Sequence, residues 1–428
     1  MPAATPLTAM RIDITLYRSP FTVSQKKQMV IMQKIGCHFS VVMFLLTVSY
    51  APANPEPGNP EPGIQVVSQA SGKAPAKTEI ETIIAAAFGM VEHDKEGNII
   101  GIDLARDRAS ATDDILIAAL SVPNLKRFRF AGGNVAAESW AGLKQQHELE
   151  ELYLQDVPLR DNEWKSLTEG HPPWRRLTLR RLPHITHIEL GALPHRLPAL
   201  RNLSLIEMGL TAEALAEIAK SKHLAALDIR QCGSLTAENY LCLNAMTKLV
   251  DLKIGGFAVN DEVLMAVAPL KFLRGLTIDD ALLSPKGFER FLTESASVDQ
   301  LETLVLCRNM SLFDDALVAL RKCPKLNRLT INGMMITGTF LLRLAEHEAS
   351  RPKLRRLSLR KTFLSEDGAT ALKKYPELRI LDLSGIGLTP EIVDIIASMD
   401  QIEELDVSDN PLDEEALRRL KMIKSLKN

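Results

Sequence analysis

LRILDLSGIGLTPEIVDIIASMDQIEELDV, residues 378–407, is the stretch whose reading decides the fold. It opens on Leu378, Leu381 and Leu383 and closes on Ile402, Leu405 and Val407, so one apolar-x-x-apolar-x-apolar unit follows another after 24 residues. Two periods succeed each other within it. Leu381-Asp382-Leu383 alternates, as a strand with one buried face does, whereas Ile392, Val393, Ile395 and Ile396 are spaced for one side of a helix. Thr389 stands just ahead of the helical run, where its hydroxyl can accept a free amide. Pro390 takes the first helical position, where its missing N–H costs nothing. The unit is therefore strand, turn, helix and return.

Outward from this stretch the unit recurs to the C-terminal residues and back to Ile99/Ile102/Leu104. Later copies begin at Leu125, Leu149, Trp174, Leu200, Leu224, Leu249, Leu273, Leu301, Leu326, Leu354, Leu378 and Ile402, making thirteen copies spaced 24 to 28 residues apart. A fixed period of this length is the signature of a solenoid. Thr112, Thr211, Thr236, Asn260, Ser284, Ser365 and Asp413 repeat the capping position of Thr389. Alternating strands and helices would also suit a doubly wound sheet or a β/α barrel. Strands covered on both faces, however, read as continuous apolar runs, and here polar residues fill nearly every outward position between the leucines. The expected fold is α/β: a parallel sheet with helices on one side only, curved because helices are wider than the strand spacing of about 4.8 Å.

This thirteenfold Leu-x-x-Leu-x-Leu core over residues 78–428 resembles the leucine-rich-repeat family, in its ribonuclease-inhibitor-like and F-box-associated helical subtype. An asparagine at the ladder position is expected only in Val407-Ser408-Asp409-Asn410, unlike the asparagine-ladder subtype. Residues 79–104, EIETIIAAAFGMVEHDKEGNIIGIDL, are similar to the N-terminal cap of exported bacterial repeat proteins: a helix near Glu79 to Phe88, then a strand turning at Asp94 to Asn98 into the first repeat. The resemblance implies a binding scaffold. Through its F-box-associated branch it also raises a substrate-recognition adaptor of a ubiquitin-ligase-like complex, which would need a recruitment domain not visible before residue 78.

Bulk composition narrows the function further. A chain with 51 basic and 53 acidic residues carries a formal charge of −2 and no general attraction to nucleic acid or anionic lipid. Aromatics at 5% leave little for stacking bases or sugars, which disfavours an envelope-polysaccharide binder. Five cysteines are too few for a disulfide scaffold. Cys37 falls in an apolar N-terminal segment, and Cys232, Cys242, Cys307 and Cys323 read as small buried or half-buried thiols, with a Cys232–Cys242 bridge as the lesser reading.

The first 53 residues concern address. Lys26, Lys27 and Lys34 precede an apolar run from Ile35 to Tyr50, then Ala51-Pro52-Ala53, the three parts of a secretory signal. The run is shorter than the ~18 residues of a spanning helix, so cleavage after Ala53 is favoured over a single-pass anchor. The first 28 residues lengthen the positive region, and Met29 or Met32 would be natural starts. Residues 54–77, beginning with Asn-Pro-Glu-Pro-Gly twice over, read as an extended proline-rich linker. The domains expected are thus 1–53, 54–77, a cap at 78–98 and repeats at 99–428, in an exported monomer of the periplasm, cell envelope or medium.

No nucleophile, phosphate-loop or dinucleotide motif accompanies the repeat, so neither an enzyme nor a cofactor is expected. His184, His187, His195 and His171 make the one histidine cluster, but without nearby glutamate or cysteine ligands its spacing is poor for zinc. Pro183, Pro194 and Pro198 are expected to break the helix there. Gly132-Gly133 and Gly255-Gly256 read as tight turns after strands. The candidate binding residues are the outward strand positions. Arg127, Arg129, Tyr153, Arg176 and Arg180 form a basic block; Asp228, Asp251 and Asp279 an acidic middle; Arg328, Arg356 and Arg360 a second basic block; Asp382, Glu404 and Asp406 an acidic end. Charge blocks of alternating sign on one concave sheet would select a protein or peptide by electrostatic register.

Overall fold

The computed structural model describes residues 77–427, apart from 107, 108, 110, 134 and 234. The export signal, the start-site reading, Cys37 and nearly all of the linker lie outside the described residues.

One sheet of fourteen strands runs through the described residues in strict sequence order. The strands are β1 (Met90–His93), β2 (Ile99–Leu104), β3 (Arg127–Ala131), β4 (Glu151–Gln155), β5 (Arg176–Arg180), β6 (Asn202–Ile206) and β7 (Ala226–Asp228). They continue as β8 (Asp251–Gly255), β9 (Gly275–Asp279), β10 (Thr303–Cys307), β11 (Arg328–Asn332), β12 (Arg356–Ser358), β13 (Ile380–Asp382) and β14 (Glu404–Asp406). β1 pairs antiparallel with β2, and every later pair is parallel and in register. Leu276, Leu304 and Leu329 lie directly opposite one another, as do Ile278, Leu306 and Ile331. This register stacks the leucines into continuous buried ladders, and it makes the chain a leucine-rich-repeat solenoid.

The cap follows the expected plan with a shifted helix. That helix spans Lys77–Ala86 and stops before Phe88, which turns to a φ of 57° and sends the chain into β1. Asp94 then closes the hairpin by accepting from the Asn98 backbone N–H at 2.7 Å. Ile80 and Ile84 are buried, covering the first repeat's exposed end.

Six of the eight expected helix caps bond as anticipated: Thr211, Asn260, Ser284, Ser365, Thr389 and Asp413 each accept from an amide three residues on. Thr112 makes no such bond, and at Thr236 it is the backbone N–H that donates, to Asn239 Oδ1 at 2.8 Å. The expected break among the histidines is corrected too. A helix runs from His187 to Arg196 with Pro194 inside its last turns, so Pro183 and Pro198 bracket the helix rather than interrupt it. Some outer elements are tighter than α-helix, as at Ala137–Gln145, where a 3₁₀-helix takes the α-helix's place. The three tryptophans, Trp140, Trp164 and Trp174, are all fully buried.

The ladder asparagine is not confined to Asn410. Asn309, in the equivalent place after Leu306-Cys307-Arg308, is buried and donates to the Ile278 carbonyl at 2.9 Å in the neighbouring repeat, as Asn410 does to Leu383 at 2.8 Å. Cys232 uses its thiol likewise toward the Leu205 carbonyl. The four described cysteines are free: Cys232 and Cys323 buried, Cys242 and Cys307 half-buried. Burial pushes the Cys232 thiol up to about 11 and the Cys323 thiol up to about 12.

Candidate functional site

Each strand presents every second side chain to the leucine core, and the alternate residues form the open face of the sheet. In β11 the open-face residues are Arg328, Thr330 and Asn332; in β10 they are Thr303, Val305 and Cys307. The parallel register turns these into rows across the sheet, and every charged candidate from the sequence lands on one of them except Arg360, which lies two residues past the end of β12.

One residue beyond the last open-face position the chain adopts a left-handed conformation in twelve successive repeats. Gly132, Asp156, Arg181, Glu207, Gln231, Gly256, Asp280, Arg308, Gly333, Lys361, Gly385 and Asp409 have φ between 51° and 106°. At every one of these positions but the last, Asp409, the amide continues the inter-repeat ladder past the strand. The amide of Asp156 donates to the Arg180 carbonyl at 3.0 Å, that of Arg308 to Asn332 at 2.9 Å, and that of Lys361 to Ser384 at 2.9 Å. The positive φ then turns the following residues off the strand line and toward the outer elements. Gly132 and Gly256 thus do occupy the tight turns expected of them, while Gly255 remains within β8.

This column places charged side chains at the mouth of the open face, and it alters the electrostatics of the blocks. Arg129 stacks over the Tyr153 ring at 4.3 Å and lies 3.2 Å from Asp103, Arg127 pairs with Glu92, and Arg176 with Glu151 at 2.5 Å. Arg180 meets Glu207 at 2.7 Å, and Arg181 meets both Asp156, at 2.6 Å, and Glu207. The Arg181 hydrogen bond holds the Asp156 carboxyl below its ordinary range. Burial pulls Glu207 the other way, but Arg180 and Arg181 outweigh it and leave that group lowered as well. The first basic block is thereby neutralised from within the sheet.

In the acidic middle Asp228 and Asp279 are neutralised in the same manner, by two arginines outside the expected set. Arg230 pairs with the buried Asp228 at 2.8 Å and reaches Asp279 at 3.4 Å, two strands away. Arg308 takes Asp279 at 2.6 Å and Asp280 at 2.8 Å. A carboxylate as enclosed as that of Asp228 needs such a partner, since a lone buried charge is costly. Asp251 lies against Gly275, where a Cβ would come within 2.8 Å of its Oδ2.

The second basic block differs. Arg328 stands directly across the ladder from Arg356, a like-charge pairing that costs stability unless something else meets it. Among the described residues no carboxylate lies within 4.0 Å of Arg328. Arg356 reaches Glu404 only at 3.8 Å and Arg360 reaches Asp409 only at 4.0 Å, with both arginines about half exposed. Asp382 is engaged by hydroxyls: Ser358 donates to it at 2.8 Å and Ser384 at 2.6 Å. Asp406 accepts from the Ser408 hydroxyl and amide, which lower its carboxyl below the ordinary range. Here the open face holds a hollow of about 450 Å³ lined by Thr330, Asn332, Arg356, Ile380, Asp382 and Glu404 among others.

Arg230, Arg308 and Glu207 were not among the residues singled out from the sequence, whereas Asp280, beside Asp279, reads there as part of the acidic middle. They fall at strand ends, and the cue available was the recurring charged residue four or five positions after the first outward one. Among the histidines, His171 Nδ1 lies 2.8 Å from the Arg196 carbonyl, and His187 and His195 share one helix on the outer side. No group of three or more metal-ligating side chains gathers among the described residues.

No family model matches the chain, and no curated protein matches it. Among solved structures it is similar to an internalin from Listeria monocytogenes, with 14% identity and a TM-score of 0.39 over 81% of this chain and 92% of that one. It is also similar to the Rad7 and Elc1 complex of yeast, with 16% identity and a TM-score of 0.48 over 64% of this chain and 80% of that one. The assignment of the fold rests on the ladders and register described above.

Proposed function

We propose that this protein is a non-enzymatic scaffold that holds a protein or peptide on the open face of its sheet, with β11 and β12 as the centre of contact. One observation carries the reading: the arginines of the other basic block meet carboxylates closely, whereas Arg328 has none within 4.0 Å and Arg356, which lines the hollow, and Arg360 reach theirs only at 3.8 and 4.0 Å. Three guanidiniums held close together repel one another, and an acidic partner removes that penalty on binding. The proposal is tested on the full chain with a photo-crosslinking residue in place of Arg328, and a control with the same residue at Arg418 on the outer helix. Adducts are expected from position 328, and the Arg356→Glu/Arg360→Glu double variant should reduce them. Adducts of equal yield from both positions would overturn the reading.

Export belongs to the same proposal. It is supported by the succession of Lys26, Lys27 and Lys34, the apolar run Ile35–Tyr50, and Ala51-Pro52-Ala53. N-terminal sequencing of the native protein should then find a chain beginning near Asn54, and an intact Met1 would refute it.

A further inference from the structure

The loops that leave the strands toward the outer helices all emerge along one edge of the sheet, and one position in them changes character over four adjacent repeats. Two residues past the left-handed turn stand Leu282, Met310, Met335 and Phe363, which are 60%, 53%, 53% and 64% exposed. The equivalent places elsewhere hold Pro158, Pro183, Gly209, Gly233, Ala258, Gly387 and Pro411. Phe257, one residue earlier in the repeat before Leu282, extends the strip at 76% exposure. Backbone bonds hold neighbouring loops side by side, Leu282 N–H to the Val259 carbonyl at 2.8 Å and Phe363 N–H to Ile336 at 3.2 Å. Residues just beyond, Leu283, Leu312, Ile336 and Leu364, are buried, so the loops are anchored while their apolar tips face outward. A contiguous exposed apolar strip marks a contact surface, and single scattered hydrophobes do not.

The strip has a charged border of one sign at its C-terminal end. Arg360 and Lys361 lie three and two residues before Phe363, and Arg356 and Arg328 continue inward on the same face. The open-face positions of β10 to β12 carry no carboxylate: they are Thr303, Val305, Cys307, Thr330, Asn332 and Ser358 besides the arginines. Spacing selects the shape of the occupant. Neighbouring repeats lie about 4.8 Å apart at the strands, so the four tips span about 14 Å. Successive turns of an α-helix advance about 5.4 Å, close to one repeat each. An extended chain places its same-face residues nearly 7 Å apart and loses step within two repeats.

We infer that the edge strip Leu282–Phe363 docks an acidic amphipathic helix of a partner protein. The helix lies along the solenoid axis, its apolar face on the four tips and its carboxylates toward Arg356, Arg360 and Lys361. This rests on the scaffold reading above and names the partner's chemistry. The test uses the full chain and a phage-displayed library of random 16-residue peptides, with bound clones measured by fluorescence anisotropy. Three proteins are compared: wild type, the strip variant Met335→Glu/Phe363→Glu, and the face variant Arg356→Glu/Arg360→Glu; circular dichroism and melting confirm that each is folded. Expected clones carry apolar residues at i, i+3 or i+4 and i+7 with glutamate or aspartate between, and both variants weaken them roughly thirtyfold or more. Clones weakened by the face variant alone would overturn the strip and leave the scaffold reading standing. Clones indifferent to both variants, or no enrichment, would overturn both. Concentration-dependent dimerisation abolished by the strip variant would overturn the helix in favour of a second copy of this chain.

Discussion

Leu304→Ala is the perturbation that most directly tests the stacked-leucine architecture. Leu304 has no exposed surface and sits mid-array, with Leu276 and Leu329 directly opposite it on the flanking strands. The change removes three carbons, worth about 0.8 kcal/mol each on transfer from water. Both neighbours are held by their own ladders and cannot collapse into the space, so a cavity term adds to this and the total becomes about 3 to 5 kcal/mol. The adjacent Thr303 points to the open face and is only partly covered. Thr303→Ala should therefore cost less than about 0.5 kcal/mol. Urea melts followed by circular dichroism, with midpoints compared at matched slope, provide the measurement. Equal losses in the two variants would refute the assignment of inward and outward positions, and with it the identity of the open face.

Two further outcomes follow from the ladders of charge and turn. Asp156 and Glu207 are held below their ordinary values of 3.8 and 4.5, so their pairs add stability that is complete above those values and is lost as pH falls through the lowered ones. Wild type should exceed Arg181→Met in urea midpoint at pH 7, and the gap should close in acid; a gap independent of pH would contradict the pairing. In the left-handed column, Lys361 has a φ of 53° and Gly385 one of 64°. Lys361→Gly should keep or raise stability by up to about 1 kcal/mol, whereas Gly385→Val should lower it by more than about 1 kcal/mol, both read from thermal melts.

Much of this was legible in the sequence because the information was local. Leu378, Leu381 and Leu383 declare a strand within six residues, and Thr389-Pro390 declares a helix start within two. Thirteen repetitions then place every strand beside its successor, since a repeat too small to bury its own core must stack. The open-face positions of Arg328 and Arg356 came from the same alternation. The resemblance marked the cap hairpin, and Thr, Asn, Ser or Asp ahead of a helical run marked six helix caps.

What only the tertiary structure decided depends on reach across the sheet. Arg230 and Asp279 are 49 residues apart and two strands distant, so their pairing needs the register and the length of a guanidinium side chain, neither of which has a sequence period. The left-handed column was hidden for a different reason. Arginine, lysine, glutamate and glutamine ordinarily avoid that conformation, so their identity gives no local sign of the turn that leads each strand toward the outer elements. The sequence marks which residues face outward through a period of two. Which outward charges remain unmatched is a property of neighbours brought together from different repeats, as at Arg328, which faces Arg356 and has no carboxylate within 4.0 Å.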